Sequence, residues 1–329
     1  PKSVSVRFVR PLLAWQARSS GPSYASASVI INALFSSPVS ITRYLPINER
    51  ARATVSLEQK SASTSRFIAA ILLDLPITLN LKANVPPIIT LTANIVAETT
   101  YYVSDWGAGK TSRATEERFQ VGGKGINVSK MLQRLGAETT ALCFPGGDFG
   151  PICEQWLTNQ NRHFKSFSSG CITRSGTIVR APHSEEISVL GIDSHVSADS
   201  VQDCVNYLKG LSGHYVLAIC GVFQEWNNPN WDTLRDWLPN RGEHVHLAVD
   251  TYGASLPWFA RQKPDVIKIN RQELETFFDE NVSVPPTDDL MKRVAKNYNC
   301  PLWIITDGEA KTWTLKPGDQ PRATQPPIA

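Results

Sequence analysis

The segment of this chain best suited to hold an anion is Val121-Gly-Gly-Lys-Gly-Ile-Asn-Val-Ser-Lys130, three glycines and a lysine set just before an apolar-periodic run. Glycines let backbone N–H groups approach a ligand closely, and a helix N-terminus favours negative charge. Lys124 adds a full positive charge at the same place. A phosphorylated sugar suits such a cradle, although a plain glycine-rich turn from strand to helix has the same composition. A second glycine cluster, Phe144-Pro-Gly-Gly-Asp-Phe-Gly150, follows Leu132, Leu135 and Gly136. The run Trp106-Gly-Ala-Gly-Lys-Thr-Ser112 ends like a Walker A loop, but Ser104 stands where the first glycine belongs and alternating polar residues follow where a helix should begin. His244 and His246 alternate along a strand-like stretch and read as a polar strand face rather than as metal ligands.

The elements that must position these residues are legible from periodicity. From Pro87 onward, short apolar runs alternate with helical patterns, the rhythm of a parallel sheet covered by helices. Strands are expected at Ile88 to Val96, Thr139 to Phe144, Tyr215 to Cys220, His244 to Asp250, Asp265 to Ile269 and Leu302 to Thr306. Helices are expected at Ile126 to Leu135, whose apolar residues share one face, and at Arg271 to Asp279. Two polar alternating stretches, Thr111 to Val121 and Thr173 to Leu190, read as strands of a lid outside the main sheet. Residues 1–86 are rich in Ser, Ala and Arg and show no sustained period, so they are read as an extension without a fold of its own, and residues 87–329 as the functional domain.

Charge divides the chain at the same place. The first 86 residues carry ten basic against three acidic side chains, and the remainder 23 against 27, so the folded region has no electrostatic footprint for nucleic acid. The longest apolar stretch, Phe67 to Leu79, is broken by Asp74 and Pro76 and is shorter than the about 20 residues a membrane helix needs. Six cysteines are scattered without a CxxC pair, which indicates neither a zinc ribbon nor a dense disulfide framework and suits a reducing cytoplasm.

The glycine-lysine segment, with the leucine-rich run, Leu135-Gly136 and the Gly146 to Gly150 cluster after it, resembles the first signature of the PfkB (ribokinase-like) carbohydrate kinases, in the branch of the 1-phosphofructokinases and tagatose-6-phosphate kinases. Further matches follow in family order, from about Leu91 to Leu315. Thr92 to Glu98 resembles an opening TLNPAxD, with Glu98 where Asp is expected; Thr173-Arg174 resembles a lid pair; Asp250-Thr-Tyr-Gly253 resembles DxSG; Lys268 to Glu273 resembles KPNxxE; and Ile304 to Gly308 resembles VTLGxxG, with Lys311 where its second glycine is expected.

The resemblance implies a three-layer α/β ribokinase-like sandwich with a small β lid. It implies transfer of the ATP γ-phosphoryl group to a phosphorylated ketohexose, catalysed mostly by positioning and charge neutralisation. Gly122, Gly123, Lys124 and Arg174 are then expected at the sugar phosphate, Glu98 and Asn127 at the sugar, and Lys268, Thr306 and Gly308 on the nucleotide side. Asn270 and Glu273, three apart on a first helical turn, face one direction and can order a hydrated Mg²⁺; the same spacing also makes a capping box, and the two readings are compatible. A homodimer through lid strands is implied as well. The family's second signature, DTxGAGD, which supplies the catalytic base, has no counterpart in residues 1–329, so the expectation is a C-terminally incomplete domain with impaired kinase activity, or else a noncatalytic sugar-phosphate binder or a non-functional gene fragment.

Overall fold

The computed structural model describes residues 86–325 except 108, 183–185, 279–284 and 309–310, together with three short strands nearer the N-terminus. Those strands, β1 (Val4–Val6), β2 (Ser40–Arg43) and β3 (Ala53–Ser56), pair antiparallel in that order. The sequence reading gave this stretch no element; each strand carries β-branched residues, which favour extended backbone. The rest of residues 1–85 lies outside the described residues.

The main sheet is built where the apolar runs placed it. Strands β4 (Ile88–Thr92) and, past two lid strands, β7 (Thr139–Cys143) and β8 (Phe164–Ser166) lie to one side. Strands β11 (Tyr215–Cys220), β12 (Val245–Asp250), β13 (Val266–Asn270) and β14 (Trp303–Asp307) continue on the other side of β4, all parallel. Antiparallel β15 (Lys311–Leu315) and β16 (Arg322–Thr324) close the edge of this nine-stranded sheet. Every residue of β4 and of β11 is buried, as expected for parallel strands covered on both faces.

Helices supply the cover. On one face, α1 (Lys124–Arg134) presents Val128, Met131 and Leu132 to Ile88, Val216 and Ala218, while α2 (Gly150–Asn159) adds Cys153 and Leu157 to a neighbouring cluster with Ile126. The other face carries α3 (Ala198–Lys209), α4 (Asp232–Trp237), α5 (Leu256–Ala260), α6 (Arg271–Glu275) and α7 (Thr287–Asn297) around the largest apolar cluster. Within it Trp226 and Trp231 pack against Phe223 and Phe259 as helix-packing groups. All six cysteines are buried free thiols. Among the described residues no helix is long and apolar enough to cross a membrane.

The lid departs from expectation in one strand. It is a four-stranded sheet in the order β10 (Ile187–Leu190), β9 (Arg174–Arg180), β5 (Val96–Val103), β6 (Ala114–Gly122). The single strand expected over Ile88 to Val96 is therefore two: β4 stops at Thr92 and Val96 opens β5. Asn94 sits at the break, its amide donating to Asp193 at 2.7 Å and its carbonyl accepting from the Ser194 backbone at 3.3 Å, so the chain leaves the core sheet where a distant segment captures it. Gly109, Lys110 and Thr111 lie between β5 and β6 and a strand follows them, which is not P-loop geometry. The helix expected over Arg271 to Asp279 ends at Glu275, and Asp279 lies outside the described residues.

The glycine loop couples lid to core through close approach. Gly123, at φ 117°, caps α1, and a Cβ there would meet Thr92 Cγ2 at 2.9 Å. A Cβ on Gly125 would lie 2.2 Å from Thr92 Oγ1 and 3.1 Å from Cys220 Cβ, both on strands that cannot retreat. Gly125→Ala is therefore expected to destabilise the fold by about 1–3 kcal/mol, read as a lowered denaturant midpoint at unchanged slope; an unchanged midpoint contradicts this packing.

Candidate functional site

The carboxyl ends of the parallel strands converge on the place where the chain reverses its direction of travel across the sheet, between β4 and β11. In open α/β sheets a ligand crevice forms outside that point. Strand register aligns Thr92 with Cys220 and Cys220 with Asp250, and the glycine loop descends from the lid onto these ends. A Cβ on Gly221, the residue after β11, would sit 3.6 Å from Lys124 Cβ, which puts the first residue of α1 directly over the switch point.

Here the structure assembles a cluster of four charges. The Lys124 ammonium donates to Asp250 Oδ1 at 3.0 Å and to Glu273 Oε1 at 2.6 Å. The Lys268 ammonium lies 3.5 Å from Asp250 Oδ2, and Asp250 and Lys268 are both buried. Burial alone pushes the Asp250 carboxyl up, but Lys268 and Lys124 together hold it below the ordinary carboxylate range. Burial likewise depresses the Lys124 ammonium, and Asp250 and Glu273 more than reverse this, so it stays charged. Asn270 and Glu273 form a complete capping box: Asn270 Oδ1 accepts from the Glu273 backbone at 2.7 Å, and Glu273 Oε2 accepts from the Asn270 backbone at 2.9 Å.

A second cluster lies on the lid side. Arg174 Nη1 donates to Asp193 Oδ1 at 2.6 Å, and Gln224 donates to the other oxygen of the same carboxylate. Tyr252 links the two clusters: its ring lies 4.9 Å from the Lys124 ammonium, and its phenol is within electrostatic reach of Lys124, Arg174, Asp193 and Glu273. Burial raises that phenol despite the two cations. Lys124, expected at a sugar phosphate, therefore lies against this ring, and Arg174, expected there too, is within electrostatic reach of its phenol. Glu98, on β5, accepts from the Gln120 amide across the lid, and a Cβ on Gly122 would be 3.6 Å from Glu98 Oε2, so this carboxylate overhangs the glycine loop.

Below the loop, Lys130 is 4% exposed. Its ammonium donates to the Val121 carbonyl at 2.5 Å and to Asn127 Oδ1 at 3.2 Å, over the Trp156 ring at 4.9 Å. Asn127, expected at the sugar, is thus oriented by a lysine buried behind it. Thr306 and Gly308 stand at the end of β14, beside β13, with Gly308 at φ 55°.

Asp250, Asn94, Tyr252 and Lys130 lie within the sequence motifs but carry no role of their own there, and Asp193 and Gln224 lie outside every motif. A signal existed for Asp250, an acid that ends an apolar parallel strand; Asp193 is joined to Asn94 across about a hundred residues, and nothing local marks it.

For a divalent cation the donor set is two carboxylate oxygens, Asp250 Oδ1 and Glu273 Oε1, aimed at one point, while Asp250 Oδ2 faces the Lys268 ammonium. Hard oxygen donors of this kind fit Mg²⁺, which keeps several waters and shares its remaining positions with phosphate. Among the described residues no group of three or more His, Cys, Asp or Glu side chains forms a cage for a metal.

The pfkB family of carbohydrate kinases matches residues 91–328, and the chain belongs to that family. It is 28% identical over 211 residues to a 1-phosphofructokinase of Borreliella burgdorferi, covering 64% of this chain and 66% of that protein. It is 26% identical over 167 residues to a D-tagatose-1-phosphate kinase of Bacillus licheniformis, covering 51% of this chain and 54% of that protein. The chain thus spans less than two thirds of the length of these relatives. In fold it is similar to phosphofructokinase-2 of Escherichia coli, solved with fructose 6-phosphate, with a TM-score of 0.65 at 18% identity over 74% of this chain and 81% of that one.

Lys130 carries a pH signature. Burial, the largest influence, lowers its pKa from 10.5 to about 8, with Glu98 opposing and Arg162 and Arg134 reinforcing the shift. Between pH about 8 and 10.5 the unfolded chain holds a proton that the folded chain has released, so this group makes stability rise with pH across that window. Urea midpoints of the wild type measured against Lys130→Met are expected to shift in favour of the wild type from pH 8 to 10.5; a constant difference contradicts the buried charge.

Proposed function

We propose that this protein binds a phosphorylated ketohexose in the crevice between lid and sheet and transfers the γ-phosphoryl group of ATP to one of its primary hydroxyls. The observation that carries the reading is Lys124 at the α1 N-terminus beside the glycine loop, 4.9 Å from the Tyr252 ring, with Arg174 within electrostatic reach of the same phenol. Arg174, with its forked donors, and Lys124 hold the sugar phosphate; Gly122 and Gly123 let backbone approach it. Glu98 and Asn127 face the sugar hydroxyls. Asp250 and Glu273, with Asn270 behind them, order the water shell of Mg²⁺, and Lys268, Thr306 and Gly308 lie on the nucleotide side. Magnesium, when bound, neutralises phosphate charge. The carboxylate that takes the hydroxyl proton is not assigned to any of these residues.

The same reading assigns the activity to residues 87–329 and places the protein in the cytoplasm, which six free buried thiols support. A second copy is proposed to pair through the lid, whose edge strand β10 and the residues after it expose Val189, Leu190 and Ile192. Limited proteolysis of the full chain is expected to leave a resistant core beginning near Pro87; protection reaching back through Arg43 to Arg66 contradicts that division.

Calorimetry with fructose 1-phosphate, fructose 6-phosphate, tagatose 6-phosphate and fructose tests the substrate class. At least one phosphorylated sugar is expected to bind ten or more times tighter than fructose, and Arg174→Ala to weaken it by about ten- to a hundredfold, the worth of a charge-assisted hydrogen bond. Equal affinities for fructose and all three phosphates refute the reading.

A further inference from the structure

The four-charge cluster has one movable member. Asp250 is fully buried at the end of β12, and Glu273 is fixed by its place in the capping box, with one oxygen tied to the Asn270 backbone. Lys124, by contrast, reaches both carboxylates on a flexible four-carbon stem whose side chain is 22% exposed. Its ammonium occupies the point on which Asp250 Oδ1 and Glu273 Oε1 converge, at 3.0 and 2.6 Å. That is also the point from which a divalent cation meets both carboxylates, directly or through its waters. An ammonium and a divalent cation cannot share it, since like charges at such separations repel strongly where water is scarce.

Charge balance gives the same answer. Two carboxylates face two ammoniums, those of Lys124 and Lys268, and the cluster is neutral as it stands. A divalent cation added without displacement leaves two uncompensated positive charges, whereas withdrawal of Lys124 leaves Asp250 still paired with Lys268. The withdrawn ammonium has a surface to move over, the Tyr252 face 4.9 Å away, whose phenol is within electrostatic reach of Arg174 and Asp193.

We propose that Lys124 is the resident counter-ion of the metal position, that a divalent cation displaces it, and that displacement turns its ammonium toward the bound anion, so that metal and sugar phosphate strengthen each other's binding. Lys124 is on this account a positioning residue linking the two ligands, and the inference rests on the sugar-phosphate reading above for its second half only. Coupling of this kind is reciprocal.

The test uses the full chain and Mn²⁺ as probe, with free metal read by electron paramagnetic resonance. Without sugar, Lys124→Met is expected to bind Mn²⁺ about tenfold more tightly than the wild type, because the competing ammonium is gone. In the wild type, saturating fructose 1-phosphate is expected to lower the Mn²⁺ dissociation constant several-fold, Mn²⁺ to lower that of the sugar by the same factor, and Lys124→Met to remove the coupling. A readout on the wild type alone is acetic anhydride labelling followed by mass spectrometry: Mn²⁺ is expected to raise acetylation of Lys124 several-fold while leaving the exposed Lys110 unchanged. Equal or weaker Mn²⁺ binding by Lys124→Met, no Mn²⁺ binding by either protein, or labelling of Lys124 that Mn²⁺ leaves unchanged or reduces overturns the proposal. If the sugar binds to neither protein, the substrate reading fails, while the Mn²⁺ and labelling results still decide whether metal displaces the lysine.

Discussion

A carboxylate with no exposure to water at the end of a parallel strand is costly unless cations meet it, and the rest of this site follows from how Asp250 is met. Lys268 comes from the adjacent strand at no topological expense. Lys124 arrives by a longer route: the chain leaves the sheet at Asn94, builds two lid strands, and returns through three glycines so that helix α1 begins above β11. The glycines are required because any side chain at Gly123 or Gly125 would strike Thr92. The close approach therefore serves electrostatics and packing at once, since it brings an ammonium to the buried acid and seats the apolar face of α1 on β4 and β11.

The core of the fold was legible because its signals are local. Tyr215 to Cys220 is a six-residue apolar run, and such a run buried on both faces has few other ways to fold. The α1 pattern announced the apolar part of its buried face, Ile126, Val128, Met131 and Leu132. Strand β5 was not legible as a separate element, because Ile95, Val96 and Ala97 prolong the apolar texture of β4 and only the Asn94 link to Asp193 and Ser194 forces the break.

The same contrast holds in the site. Glycines before a helix identify a loop built for close approach, and Asn270 with Glu273 identifies a helix start; both depend on spacing alone. Which charges meet across the crevice is set by tertiary placement. Lys124 and Glu273 are separated by 149 residues, and nothing near either shows the pairing. Lys130 illustrates the point from the other side. In sequence it is an ordinary polar residue of an amphipathic helix, and only the fold shows it turned inward, under the loop it supports.

Five of the six buried thiols have a practical consequence. Burial pushes the pKa of Cys153 and Cys300 up to about 12, and those of Cys143, Cys204 and Cys220 higher still. The thiolate is the reactive form of cysteine, so near neutral pH these side chains are chemically quiet for as long as they remain enclosed. They are also spread through the fold: Cys143 and Cys220 end two neighbours of the central strand, Cys153 and Cys204 lie in helices on opposite faces, and Cys300 precedes β14. Alkylation resolved by position would thus report which part of the molecule opens first, with no foreign label introduced, because each region carries its own sulfur clock that starts only when that region lets water in.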